Sequence, residues 1–418
     1  ELMPNSGELK LQLAALYAVR DMKSEAYDVL MRMQGQGFGY DISKDTRFDR
    51  IHGTRVWDYI VANLAVNAKP FGEGEVAFSL PKGDRLLETL AWDPARKKFL
   101  VGSTREGAIQ LADKNGKLED FIAADKASGL WGVLALAADP AQDTLWVSSA
   151  AVPVYKGYAA DIVGKAQLLA YRLSTGKQIG RYALPGGADG RLLTALAVGP
   201  KGRVYAADGV HNEIYVVDGD ALKLMTANPR LTGIRGLAVS GDGNTLYFSD
   251  YALGLFGYDL AAGKPFAVVH SPERLVVGGV ESLYWYDDNL IAVQPGVVPQ
   301  RVMRLKLGKD GRAIENVMPL AVAQPAFAAL ASGVAVGDDF YFVANSQKDL
   351  YDSYGVLSDE SRLEPTRIFR TNLRYAWDQP GISTAPTAIP VAKGAATKPN
   401  FTPAKGAVGD GKPADKKD

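Results

Sequence analysis

The chain has 418 residues, with 47 basic against 47 acidic side chains, no cysteine and an apolar share of 47%. A formal net charge of zero removes the electrostatic case for nucleic acid or an anionic membrane surface as partner. Without cysteine there are no disulfides, thiolate metal sites or cysteine nucleophiles, and no apolar run of roughly 18 residues exists to span a bilayer.

In chain order, the first region is 1–69. It opens on "ELMPNSGELK" with no initiator Met and no visible signal peptide, as a processed or trimmed form would. The stretch "LKLQLAALYAVRDMKSEAYDVLMRMQGQGF" (9–38) puts Leu13, Leu16, Tyr17, Ala26, Leu30 and Met33 at helical spacing, broken near Asp21. This order resembles one tetratricopeptide helical pair, which cannot bury its own face. The pair is expected to dock on a helix at 55–66 ("RVWDYIVANLAV"), on the following domain, or on an upstream repeat or protein partner.

Residues 70–375 repeat. "ETLAWDPARKKFLVGS" (88–103), "LALAADPAQDTLWVSS" (134–149), "TALAVGPKGRVYAAD" (194–208), "RGLAVSGDGNTLYFSD" (235–250), "ESLYWYDDNLIAVQ" (281–294) and "SGVAVGDDFYFVANS" (332–346) are each a strand, a polar turn and a second strand. Third strands and further turns follow at "KNGK" (114–117), "STGK" (174–177), "AAGK" (261–264) and "KDGR" (309–312). Units starting at 88, 134, 194, 235, 281 and 332 are spaced by 46, 60, 41, 46 and 51 residues. Such spacing is the mark of propeller blades, and six copies give a mainly β, six-bladed β-propeller behind a short α-helical, tetratricopeptide-like segment. A β-sandwich is the alternative, but it does not require six alignable units. The early strand "EVAFSL" (75–80) is expected to join the last blade and close the ring. Residues 376–418 are Pro/Ala/Gly/Lys-rich with little to bury, and read as a disordered tail.

The strand starts "LLETLAWDP", "GLWGVLALAADP", "LLTALAVGPKG", "IRGLAVSGDGNTLYFSDY", "GGVESLYWYDDNLIAVQ" and "GVAVGDDFYFVANSQ" resemble the regucalcin/gluconolactonase superfamily of six-bladed propellers. The narrower resemblance is to bacterial members with a tetratricopeptide-like front. It implies a central calcium or zinc ion held by a Glu, two Asn and an Asp, which activates a lactone or ester for hydrolysis. Carried onto this chain, the Glu is Glu88, the Asn positions are Thr194 and Arg235, and the Asp is Glu281. Two carboxylates remain and both amides are gone. The resemblance, with the absence of cysteine, also implies a periplasmic or secreted location.

The same positions can be read without the family. The first residue of each inner strand reaches the rim of a central funnel, giving the ring Glu88, Leu134, Thr194, Arg235, Glu281 and Ser332. Calcium takes about six to eight oxygens, whereas arginine is a fixed cation with no acceptor atom. Arg235 therefore replaces the ion by pairing with the two glutamates, turns to solvent and leaves a metal in place, or clamps an anionic ligand such as a sugar acid.

The loops between second and third strands return to the same face. They carry Tyr155, His211, Asp250, Gln294 and Asn345 as further funnel candidates. The long loop 150–166 either covers the funnel or packs on a neighbouring blade. Trp131 either walls a pocket or packs structurally. His211, in "DGVHNE", is the one histidine placed for acid–base catalysis. There is no Gly-x-Ser-x-Gly elbow, phosphate loop or zinc spacing. Two functions remain: a metal-dependent lactone or ester hydrolase using Glu88 and Glu281, or a metal-free propeller binding a small anion or a protein partner at the funnel.

Overall fold

Each repeat forms one antiparallel four-stranded sheet, and six such sheets make the ring expected from the repeat spacing. The computed structural model describes residues 5–124, 129–184 and 190–374; the expected tail at 376–418 lies outside them. The inner strands are Leu87–Asp93, Gly132–Asp139, Leu193–Val198, Ile234–Val239, Ser282–Tyr286 and Gly333–Val336. Each leads outward through three more strands in sequence order, except in the sixth blade. There the outermost strand is Glu75–Leu80, paired antiparallel with Thr366–Asn372, so the chain's first strand closes the ring as expected.

Period-2 alternation explains why so many strand residues are apolar. In Val204–Asp208, Val204 and Ala206 face the second blade while Tyr205 and Ala207 face the fourth. One apolar cluster fills each gap between successive blades, including Phe78, Phe99, Val343 and Ile368 between the sixth and first. The four expected turns hold Gly116, Gly176, Gly263 and Gly311 at positive φ, where a side chain is disfavoured. Gly116 is also constrained by contact, since a Cβ there would lie 2.0 Å from the Ser79 carbonyl oxygen on the closing strand.

The front of the chain is helical: α1 (Gly7–Val19), α2 (Lys23–Gly35) and α3 (Arg55–Asn67). Ser6 and Thr54 cap α1 and α3 by accepting from the Leu9 and Trp57 amides. The α1–α2 break falls at Asp21, which has φ +60°. Ala26, Leu30 and Met33 are buried as the spacing predicts, whereas Leu13 and Leu16 are exposed, at 36% and 54%. The buried side of α1 is instead Gly7, Leu11, Ala14, Ala15 and Ala18. This small-residue surface lets α2 approach, leaving the bulky leucines on the opposite side.

The helices share one core with Val276 and Val297 of the propeller. The Asn5 amide donates to the Ala252 and Leu253 carbonyls, Gln36 to Pro272, and the Gly39 amide to Val298. Of the expected docking surfaces, α3 and the propeller are both used. All four propeller partners lie in connections on the face where inner strands begin, so the helices flank the funnel mouth beside blades four and five. Among the described residues, no helix is long and apolar enough to cross a membrane.

Candidate functional site: the central funnel

A cavity of about 140 Å³ lies where the inner strands converge, and all six expected ring positions line it: Glu88, Leu134, Thr194, Arg235, Glu281 and Ser332. In four blades the ring residue is skipped in strand pairing. Register shifts fall between Leu87 and Thr89, Val133 and Ala135, Leu193 and Ala195, and Ile234 and Gly236. A bulge of this kind re-aims one side chain without disturbing the rest of the ladder. Glu281 and Ser332 immediately precede their inner strands instead. Next to Arg235, the missing side chain of Gly236 allows close approach of blade five; a Cβ there would lie 2.6 Å from the Leu283 nitrogen.

The polar groups of the ring divide into engaged and unengaged. Thr194 Oγ1 donates to the Ile234 carbonyl at 2.8 Å, tying blade three to blade four. Ser332 Oγ donates to the Glu88 carbonyl at 2.7 Å and accepts from the Leu90 amide at 3.3 Å, tying blade six to blade one. Glu88 Oε1 accepts from Ser346 Oγ. Burial pushes the Glu88 carboxyl above the ordinary glutamate value; the Ser346 hydrogen bond and the Lys348 charge oppose this, while the Glu281 charge adds to it.

Arg235 forms no ion pair within 4.0 Å and no hydrogen bond among the described residues, and its Nε is buried without a partner. Its guanidinium lies over the Tyr251 ring, with Cζ 5.9 Å from the ring centroid. The expectation that Arg235 pairs with Glu88 and Glu281 is thus overturned. The Glu281 carboxylate likewise has no hydrogen-bond or ion-pair partner among the described residues.

These donors do not fit the implied ion. Calcium takes about six to eight oxygens and zinc about four ligands. The wall offers two carboxylates, the Thr194 and Ser332 hydroxyls already donating to carbonyls, the hydroxyls of Ser282 and Tyr284, and a guanidinium with no acceptor atom. No group of three or more His, Cys, Asp or Glu able to hold a metal occurs among the described residues.

The other expected site residues do not line this cavity. Asp250 is fully buried and accepts from the Thr232, Gly233, Ala252 and Leu253 amides. Gln294, also fully buried, donates to the Val276 and Gly278 carbonyls and accepts from Arg301. Asn345 bridges the Pro365 carbonyl and the Arg367 amide. Asp250 and Gln294 end second strands and Asn345 lies two residues past one, and all three organise the loops rather than face a ligand. Trp131 lies outside the wall, its amide donating to Ser149 Oγ at 2.7 Å. The Tyr155 hydroxyl points to the Leu130 carbonyl at 3.5 Å. His211 is at the blade-three rim, Nδ1 3.0 Å from Asp208 Oδ2. Asp208 in turn meets Arg191, which also binds Glu213.

The long blade-two loop packs against neighbouring blades. Arg105 binds Asp84 through Nε and Nη2, and its Nη1 donates to the Val154 and Gly355 carbonyls, joining the loops of blades two and six. Two wall-side residues were not legible from the repeats. Ser346 closes the aligned unit 332–346, three residues past the strand Asp339–Val343, and its bond to Glu88 has no counterpart in the strand pattern. Tyr284 lines the cavity from inside a strand, its hydroxyl accepting from the Gly333 amide.

No family model matches the sequence, and no curated protein matches it. Among solved structures, the chain is similar to the PQQ-bound aldose sugar dehydrogenase of Streptomyces coelicolor, with 17% identity, TM-score 0.49, and coverage of 73% of this chain and 98% of that one. It is also similar to a gluconolactonase of Xanthomonas campestris, with 14% identity, TM-score 0.47, and coverage of 74% and 93%. A third is virginiamycin B lyase of Staphylococcus aureus, with 14% identity, TM-score 0.43, and coverage of 66% and 82%. On its own six four-stranded sheets, the chain is a six-bladed β-propeller with a short helical segment at its front.

Proposed function

We propose that the central funnel binds a small organic anion, with the Arg235 guanidinium as the fixed cation. The observation that carries this reading is the unpaired state of Arg235 in a cavity that also contains two carboxylates. Arg235 is half-buried, with its Nε buried and unbonded; a buried donor left without a partner is costly, and a carboxylate accepting two parallel N–H bonds is the partner its planar fork matches best. The metal-dependent lactone or ester hydrolase is the less favoured reading, because Thr194 and Arg235 stand at the amide positions of the resembled family.

The test compares propionate with neutral propionamide by calorimetry and thermal shift, in the wild type and in Arg235→Ala and Arg235→Lys. Propionate is expected to bind and raise the melting temperature, and propionamide is not. Removing one member of a buried charged pair costs about 2–5 kcal/mol, so Arg235→Ala should weaken propionate about thirtyfold or more. Arg235→Lys should retain part of the binding. Unchanged propionate affinity in folded Arg235→Ala would contradict the proposal.

A further inference from the structure

Resting on that reading, we infer that the ligand is a small zwitterion, a carboxylate and an ammonium a few bonds apart, as in a short-chain amino acid. The cavity wall carries an unpaired guanidinium at Arg235 and an unpaired carboxylate at Glu281. The two are held too far apart to pair with each other, although each lacks any other ion-pair partner among the described residues. A ligand bearing both charges completes both groups at once, and a simple anion completes only one.

The second carboxylate strengthens the argument. Glu88 shares the cavity with Glu281, and one of its oxygens already accepts from Ser346. The Glu281 charge pushes the Glu88 carboxyl upward, so the two repel across the site. Lys348 acts on Glu88 from the blade-six loop, but it is exposed and forms no ion pair with either carboxylate. An ammonium has three donors and no acceptor, which suits a position between two glutamates. The ligand's carboxylate then faces Arg235, whose Nε is buried and unbonded.

Size narrows the class further. A cavity of about 140 Å³ compares with an apolar cavity of about 150 Å³ that accepts benzene, a ligand of about six non-hydrogen atoms. Drug-sized sites are about 300–1,000 Å³. Glycine, alanine and β-alanine are within this limit.

The experiment is calorimetric titration of the full chain at neutral pH with L-alanine, β-alanine and glycine, alongside propionate (no ammonium) and ethylamine (no carboxylate). At least one zwitterion is expected to bind about tenfold or more tighter than either single-charge analogue, the worth of one charge-assisted contact. In Glu281→Gln, shown folded by circular dichroism, that preference over propionate should fall to about threefold or less, with propionate affinity unchanged or raised. Arg235→Ala should lose both ligands. Equal binding of propionate and the zwitterions, both lost in Arg235→Ala, would overturn the zwitterion and leave the anion site standing. Affinities unaffected by Arg235→Ala would overturn both readings, and so would absence of binding by every probe.

Discussion

A guanidinium beside two glutamates would ordinarily collapse onto them, and the inner-strand bulges explain why Arg235 does not. Each ring side chain is fixed by a separate blade, and the blades are locked by Thr194 and Ser332 bonding across blade boundaries. The backbone therefore sets the spacing of the charges, and Arg235 rests against Tyr251 instead. A different outcome of the same forces is visible at Asp84. Burial raises its carboxyl, but hydrogen bonds from Arg105 and Tyr351 and the charge of Lys156 outweigh burial and hold it at about 2. A depressed carboxyl contributes stability that is full above its unfolded value and is lost as pH falls through its folded value. Asp84→Asn should thus cost about 2 kcal/mol in urea unfolding at pH 7. The difference from wild type should shrink between about pH 4 and pH 2. A gap that stays constant over that range would assign the loss to packing rather than charge.

At the scale of elements, α1 shows how helical spacing names two faces without choosing between them. Leu9, Leu13 and Leu16 lie along one side, and Leu11, Ala14 and Ala18 along the other; the second is the buried one. The reading from spacing alone favoured the larger side chains, yet close helix packing selected the smaller. Leu16→Ser is expected to change stability by no more than about 0.5 kcal/mol. Leu30→Ala, in the core shared by the three helices, should cost about 2–5 kcal/mol. Thermal and urea unfolding of the two variants checks this, and a comparable loss in both would show that the Leu16 side of α1 is covered in solution. Second strands show a related ambiguity. Asp250, Gln294 and Asn345 were legible as polar residues at the right height on the funnel face. Whether such a residue faces a ligand or folds back onto loop amides depends on the turn that follows, which the strand pattern does not encode.

At the scale of the whole molecule, repeat spacing made the blade number, the closing strand and the six ring positions readable in advance. Repetition is what made this possible, because an alignable unit fixes where every inner strand begins. The charge state of the ring was not readable. Pairing of Arg235 with Glu88 and Glu281 depends on separations of a few ångströms set by six independently anchored strands, and only the folded ring supplies them. The docking of the helices beside blades four and five was open for the same reason, since Val276 and Val297 come from connections with no repeat pattern.

With Arg235 proposed as the cation of this funnel, no metal ion is needed there. The most direct measurement is the metal content of the purified protein by mass spectrometry after gel filtration, with calcium or zinc offered and then withdrawn. No stoichiometric metal is expected, and the melting temperature should be unchanged by either ion or by chelator. One equivalent of metal retained per chain, and lost in Glu88→Gln or Glu281→Gln, would contradict that proposal.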